Sequence, residues 1–255
     1  MTTDEFSNQF DVLYNNITSN KAPGLNEYEK SVLLTKSENE IVRDYYNPEG
    51  NKYKEGFDDS AKRQSDFAKL ITSASLANDS QQISILDPRS KCFLFPSDTF
   101  LIVNEQLQLI KTVDSTDSLA GVRQVVPLKY DEYMLKMSKP FKEPLKWQAW
   151  RLISNQSNGS TVAEIITTTA DSKIASKYKY ILRYIRIPKP IILTDLSEVY
   201  GDNLSINGLT AKTECELGEA IHEEILQRAV ELAKIAWAGD ANQVQAEIAA
   251  GQRSE

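Results

Sequence analysis

Histidine occurs once in this chain, at His222, and cysteine twice, at Cys92 and Cys215. So little of either excludes a small domain framed by disulfides and leaves a zinc site without its usual ligands. Glu223 and Glu224 follow His222, but Leu226 and Gln227 stand one turn later, where a zinc helix would need its second histidine. A lone helical histidine reads as a packing or capping residue, and two distant cysteines read as free thiols of a reducing compartment. Glycine is confined to ten scattered residues, none in a phosphate-binding loop, and no serine stands in a nucleophile elbow. No run approaches the ~18 consecutive apolar residues of a membrane helix. The acidic start Met1-Thr2-Thr3-Asp4-Glu5 lacks the basic-then-apolar order of a secretion signal. The expectation is a chain with no metal and no cofactor, neither exported by that route nor inserted in a membrane.

Positive charge is also in deficit, with 29 Lys and Arg against 36 Asp and Glu and a net charge of −7. Affinity for nucleic acid is dominated by neutralised phosphates, so gripping DNA or RNA is a poor reading of the whole. A wall that DNA slides past is compatible with it. Apolar residues make up 41% of the 255, enough to bury an ordinary core.

Residues 177–196 form the stretch around which the rest is expected to pack. Tyr178, Tyr180, Leu182 and Tyr184 alternate with Ile181, Ile185 and Ile187, the pattern of a strand with two covered faces. Pro188 and Pro190 remove ladder donors, so a second strand is predicted to begin at Ile191–Leu193. Lys173, Lys177, Lys179, Arg183, Arg186 and Lys189 add a run of cations here, with no acid between Ile174 and Pro190. These cations suit an acidic partner or a nucleic-acid backbone. Equally, their long stems could snorkel from a half-buried sheet and pair with the surplus acids, the reading preferred for so acidic a chain.

Upstream, Phe6, Phe10, Leu13 and Ile17 fall at helical spacing over residues 3–18, and Thr2 with Glu5 has the form of a capping box. A second helix is predicted from the cap Asn26, with Glu29 three residues on, carrying Tyr28, Val32, Leu34, Ile41, Val42 and Tyr45 before Asn47-Pro48. After a polar connector at 52–56, a third helix is predicted over residues 59–77. Short strands are then expected around Ile83 and Ile85, at 92–95, at 100–103 and at 107–110, followed by a polar loop over 112–121. A short helix at 130–137, bounded by Pro140, precedes two strand-like runs flanking Asn158-Gly159, the strongest hairpin signal in the chain. Asn207-Gly208 is a weaker one.

From Glu216 a long helix is predicted, with Leu217, Ile221, Ile225, Ala229, Leu232 and Ala236 in line, acids crowding its start and Gly239 ending it. Trp237 is expected to be buried near its end, so that its loss costs more stability than that of Lys234. Residues 240–255 hold only Val244, Ile248 and alanines as apolar content and are expected to order against a partner.

The fold class is α+β: N-terminal helices, a central, mainly antiparallel β-rich region and a long C-terminal helix with an extended tail. The expected divisions are 1–80, 81–213, 214–239 and 240–255.

Three segments carry a family likeness. Leu25-Asn26-Glu27-Tyr28-Glu29-Lys30-Ser31-Val32-Leu33-Leu34-Thr35-Lys36, the run from Leu182 to Leu193, and the run from His222 to Lys234 resemble, in order and spacing, virion structural proteins of crAss-like short-tailed gut phages. The resemblance implies a head-to-tail connector, a ring of twelve copies docked beneath the portal that continues the DNA channel in the neck or tail of the virion, assembled in the host cytoplasm. It implies as partners further copies of the chain, the portal protein and adjacent tail rings, with DNA passing unbound. By that resemblance Trp237, Val244 and Ile248 lie where a connector reaches into the portal. A ring also needs two unlike complementary patches on each copy. Arg183 and Arg186 on one side and Glu219 and Glu223 on the other are the candidate pair. The alternatives are another tail-stack ring or capsid-associated protein, a virion-carried metal-dependent nuclease or other hydrolase, and a nucleic-acid-binding module built on the basic strand.

Overall fold

The computed structural model describes residues 1–17, 24–47, 57, 60–78, 90–137, 143–155, 159–199 and 204–238. The elements begin with helices α1 (Thr3–Ile17), α2 (Glu27–Tyr46) and α3 (Ala61–Asp66). Strands β1 (Ile71–Ala77), β2 (Ser90–Leu94), β3 (Thr99–Val113) and β4 (Thr116–Pro127) follow, then helix α4 (Tyr130–Met137). After β5 (Gln148–Asn155), β6 (Thr161–Ile166), α5 (Asp171–Ile174) and β7 (Lys177–Arg186) come the helices α6 (Leu196–Val199) and α7 (Glu219–Ala238). This is the α+β class that the hydrophobic periodicity indicates. The expected strand around Ile83 and Ile85, the connector at 52–56, Pro48, Pro140, Asn158, Gly239 and the tail with Val244 and Ile248 lie outside the described residues.

Two compact units emerge, one formed by Met1–Leu70 with Pro188–Glu255 and one by Ile71–Ile187. The first is helical. Thr2 and Glu5 cap α1 reciprocally, at 3.3 Å and 2.8 Å, and Asn26 and Glu29 do the same for α2, at 2.8 Å and 2.9 Å. Helix α7 packs on α2 and α1. Its buried stripe of Ile221, Ile225, Leu226, Ala229, Val230 and Ala233 is the one the helical period predicts. The stripe of α2 differs from its prediction: Val32 faces solvent, while Ser31, Thr35, Ser37 and Glu38 are buried.

Those buried hydroxyls explain why the second strand is missing. Ile191, Ile192 and Leu193 are buried as expected, but only the single bridge Ile192–Thr213 forms. The Ile191 N–H donates to Thr35 Oγ1 at 3.1 Å and the Leu193 N–H to Ser31 Oγ at 3.0 Å. Side chains of α2 therefore stand in for the neighbouring strand that these backbone groups would otherwise need. Asn207-Gly208 makes its predicted tight turn, at φ 51° and 81°, closed by an Ile206–Leu209 bridge.

The second unit is a seven-stranded sheet in the order β1-β7-β3-β4-β5-β6-β2. All pairs are antiparallel except β4 with β5, which α4 connects. The edge strands β1 and β2 come into contact, so the sheet curls towards closure. Tyr180, Phe93, Leu107, Leu109, Ile165 and Leu182 fill its concave side. Tyr133 of α4 covers Trp150, Leu152 and Ile166 on the other.

Three predictions fail in this unit. The helix expected over 59–77 stops at Asp66, and residues 71–77 become β1, paired along its whole length with β7. Ile71 and Thr72 favour a pleated surface, and a central strand offering free ladder groups outweighs the alanine and leucine spacing that suggested a helix. The runs 100–103 and 107–110 are one strand, β3, in which Glu105 points into the core instead of marking a turn. The polar loop over 112–121 is the tip of a hairpin: Asp114 and Ser115 both take positive φ, 47° and 63°, and close a two-residue turn between Val113 and Thr116.

Candidate assembly surfaces

Strand β7 sorts its side chains as the alternation requires, burying Tyr178, Tyr180, Leu182 and Tyr184 and exposing Lys177, Lys179 and Arg183. Two of the six cations of this region behave as snorkelling residues. Lys177 pairs with Asp117 at 3.0 Å and Lys189 with Glu216 at 3.6 Å. Arg186 is partly buried, and its Nη1 lies 3.5 Å from the Ile187 carbonyl. Lys173, Lys179 and Arg183 have no carboxylate partner among the described residues. Register places Gln108 and Ala77 beside Lys179, and Asn104 and Ser73 beside Arg183. Gln124 extends this face next to Gln106. The outer side of β1, β7, β3 and β4 is thus a basic, amide-rich surface, with acid met, among the described residues, only at its Asp117 end.

Beyond this face β3 and β4 run on as a ribbon. From Lys111 to Ala120 every residue except Thr112 is exposed, yet the ribbon is tied down. Ser176 accepts from the Thr112 N–H at 2.8 Å and donates its own N–H to the Ile110 carbonyl at 2.9 Å. Asp117 accepts from Thr112 Oγ1 at 2.6 Å and from Lys177. The Thr112 and Lys177 bonds hold the Asp117 carboxyl below the usual carboxylate range.

On α7, Glu219 and Glu223 are exposed, as an interface role requires, but they belong to the helical unit whereas Arg183 and Arg186 belong to the sheet unit. Trp237 is 50% exposed, against the expectation of burial, and Lys234 is 5% exposed. The stripe of α7 has rotated its tryptophan outward by the last turn. An exposed tryptophan is a candidate contact and not a core anchor.

The groups that could carry chemistry are used internally. His222 is buried, its Nδ1 accepts from the Met1 ammonium at 2.7 Å, and its Nε2 lies 3.2 Å from the Leu217 carbonyl. Burial, and then the amino-terminal charge, lower its pKa. Its ring lies 5.3 Å from that of Phe6, the packing role that its isolation in the sequence suggests. Burial pushes the Cys215 thiol up, with Glu38 adding to it, away from a reactive thiolate. Cys92 and Cys215 are both buried, and neither is in a disulfide. No cluster of three or more His, Cys, Asp or Glu residues that could hold a metal occurs among the described residues.

Comparison with known proteins gives these surfaces a context. A family model described as phage tail ring protein 3/4 matches residues 1–245. The chain belongs to this family of crAss-like phage tail ring proteins. It is similar to Ring protein 4/5 of Bacteroides phage crAss001, 51% identical over 256 residues covering 100% of both chains. It is also similar to Ring protein 3 of the same phage, 34% identical over 239 residues covering 92% of this chain and 96% of the relative. A tail ring protein is a structural part of the virion, so surfaces that meet other subunits are the functional sites to look for. The sequence reading named β7 as such a surface but missed the ribbon. The signal for it lay in Asp114-Ser115 between two alternating runs, a weaker turn pair than Asn-Gly.

Proposed function

We propose that this tail ring protein is a non-catalytic subunit of a closed ring on the axis of the neck and tail. In this reading twelve copies continue the DNA channel from the portal, and the ring docks directly beneath the portal as the head-to-tail connector. The observation that carries the reading is the likeness to tail ring proteins along the whole length of the chain. The internal use of His222, Cys215 and Glu105 supports it. So does the net charge of −7, because surplus negative charge lets a phosphate backbone pass without sticking.

Arg183 with Arg186 and Glu219 with Glu223 act in this reading as the unlike patches through which copies meet. Trp237, with Val244 and Ile248 of the tail, meets the portal or the next ring. Light scattering of the purified chain at rising concentration, alone and with portal protein, tests the proposal. Growth to a ring-sized species that binds portal is expected. A chain that stays monomeric with and without portal contradicts it. A ring that ignores portal but binds another tail protein moves it to a lower station in the stack. Plasmid DNA incubated with the chain and magnesium or manganese should remain intact.

A further inference from the structure

We infer that the outer face of β1, β7, β3 and β4 lines the channel of the ring and meets the phosphate backbone of duplex DNA. The inference rests on the ring reading and names the face which that reading turns toward the axis. Register fixes the side chains that stand there. Lys179 lies beside Gln108, Ile181 beside Gln106 and Arg183 beside Asn104. Strand β1 adds Ser73 and Ser75 on one flank, and β4 adds Gln124 and Val122 on the other. All of these are exposed except Gln108 and Ile181, which are half-buried. The same strands turn Tyr180, Leu182 and Leu107 into the core, so this face carries what the alternation leaves over.

Its chemistry is one-sided. In a chain of net charge −7, no Asp or Glu stands among these side chains. Amides and hydroxyls surround Lys179 and Arg183, two cations with no carboxylate partner among the described residues. Lysine, arginine, serine, asparagine and glutamine are residues that hold phosphate oxygens. No aromatic side chain is present, so the bases of a single strand have nothing to stack on. Nor does the face have the large apolar centre of a lasting protein contact, since Ile181 and Val122 are its only sizeable apolar side chains. The magnitudes fit passage and not capture. From Lys179 to Arg183 the strand covers ~13 Å, and duplex DNA carries roughly eight phosphate charges in that length. Two cations answer roughly a quarter of them, and the surplus acid elsewhere in the subunit opposes tighter binding. A backbone met mainly by neutral donors can therefore slide. Arg183, at one end of the face, is the cation this surface shares with the contact between copies.

The test uses phage particles carrying the full-length chain with the photo-crosslinker p-benzoylphenylalanine in place of Gln106, irradiated before and during genome ejection. The chain should be left covalently on DNA, in a product that nuclease treatment removes. Cross-links to protein alone, or none in particles that contain the chain, overturn the lumenal assignment and leave the ring reading intact. Wild-type particles that lack the chain remove the ring reading itself. Filter retention of duplex DNA by the purified chain gives an independent outcome. At low salt the wild type should retain DNA, and Lys179→Gln should melt like wild type yet bind more weakly, with a shallower salt dependence. Lys173→Gln, whose charge belongs to α5, should change neither. Equal losses in the two variants, or no retention by the wild type at low salt, would overturn the inference.

Discussion

Glu105 and Arg151 meet on the concave side of the sheet, with Arg151 Nη1 2.8 Å from Glu105 Oε1. They come from β3 and β5, which are not neighbours in the sheet, and each is under 10% exposed, at 8% and 9%. Tyr180 donates its hydroxyl to Glu105 Oε2 at 3.0 Å. Burial raises the Glu105 carboxyl pKa; Arg151 and Tyr180 oppose that rise without cancelling it, so desolvation outweighs the attraction.

Breaking this pair should therefore cost far more than replacing it. Arg151→Met alone leaves a buried carboxylate uncompensated and should destabilise the fold by ~3–5 kcal/mol. The double variant Glu105→Leu, Arg151→Met should recover most of that loss. Urea unfolding of the double-mutant cycle checks this, and additive losses would mean the two side chains do not act as a pair.

Thr35 and Ser31 hold the segment after β7 by accepting the Ile191 and Leu193 N–H groups. Thr35→Val keeps the shape and removes the acceptor, leaving a buried donor unsatisfied at a cost of ~1–3 kcal/mol. Hydrogen exchange at Ile191 should accelerate in that variant while Leu193 remains protected. Unchanged protection at Ile191 would show that the hydroxyl is dispensable.

Near the end of α7 the order of sensitivity should be the reverse of what residue type suggests. Lys234 is 5% exposed and Trp237 is 50% exposed, so Lys234→Ala should lower the melting temperature more than Trp237→Ala. Trp237→Ala should instead weaken assembly. Thermal melts of the two purified variants decide the first point, and particle incorporation decides the second.

The pH response should reveal His222. Its lowered pKa means that the folded state binds fewer protons than the unfolded state below the ordinary value of 6.5, so its contribution to stability rises with pH through that window and is lost on acidification. The amino terminus, Glu219 and Lys69 are the charges that act on it. Glu105, Asp66 and Glu224, whose pKa values burial raises, contribute with the opposite sign. They are common to wild type and His222→Gln and cancel in the comparison. The wild type should lose more stability than His222→Gln between pH 7 and pH 5, and parallel curves would contradict the assignment.

How much of this could be read in the sequence follows the range of the interactions. The capping boxes at Thr2-Glu5 and Asn26-Glu29 are local, and both formed as read. The alternation of β7 and the stripe of α7 were legible because burial on a regular element imposes its own period. The strand at 71–77 was not, because β7, more than 100 residues later, is what makes it a strand. Likewise Thr35 and Ile191 stand 156 residues apart, and no pattern near Ile191 announces a partner on a helix. Glu105 looked like part of a turn because a buried carboxylate is intelligible only once Arg151 and Tyr180 are beside it. The cations of β7 were visible as a run, but which of them stay unpaired is decided by the register with β1 and β3.

The central claim is that this chain works by meeting copies of itself around the channel. Cryo-electron microscopy of intact particles tests it most directly. A closed ring of this chain on the portal-to-tail axis is the result expected. Finding the chain as isolated copies away from that axis, or on the capsid shell, would contradict it.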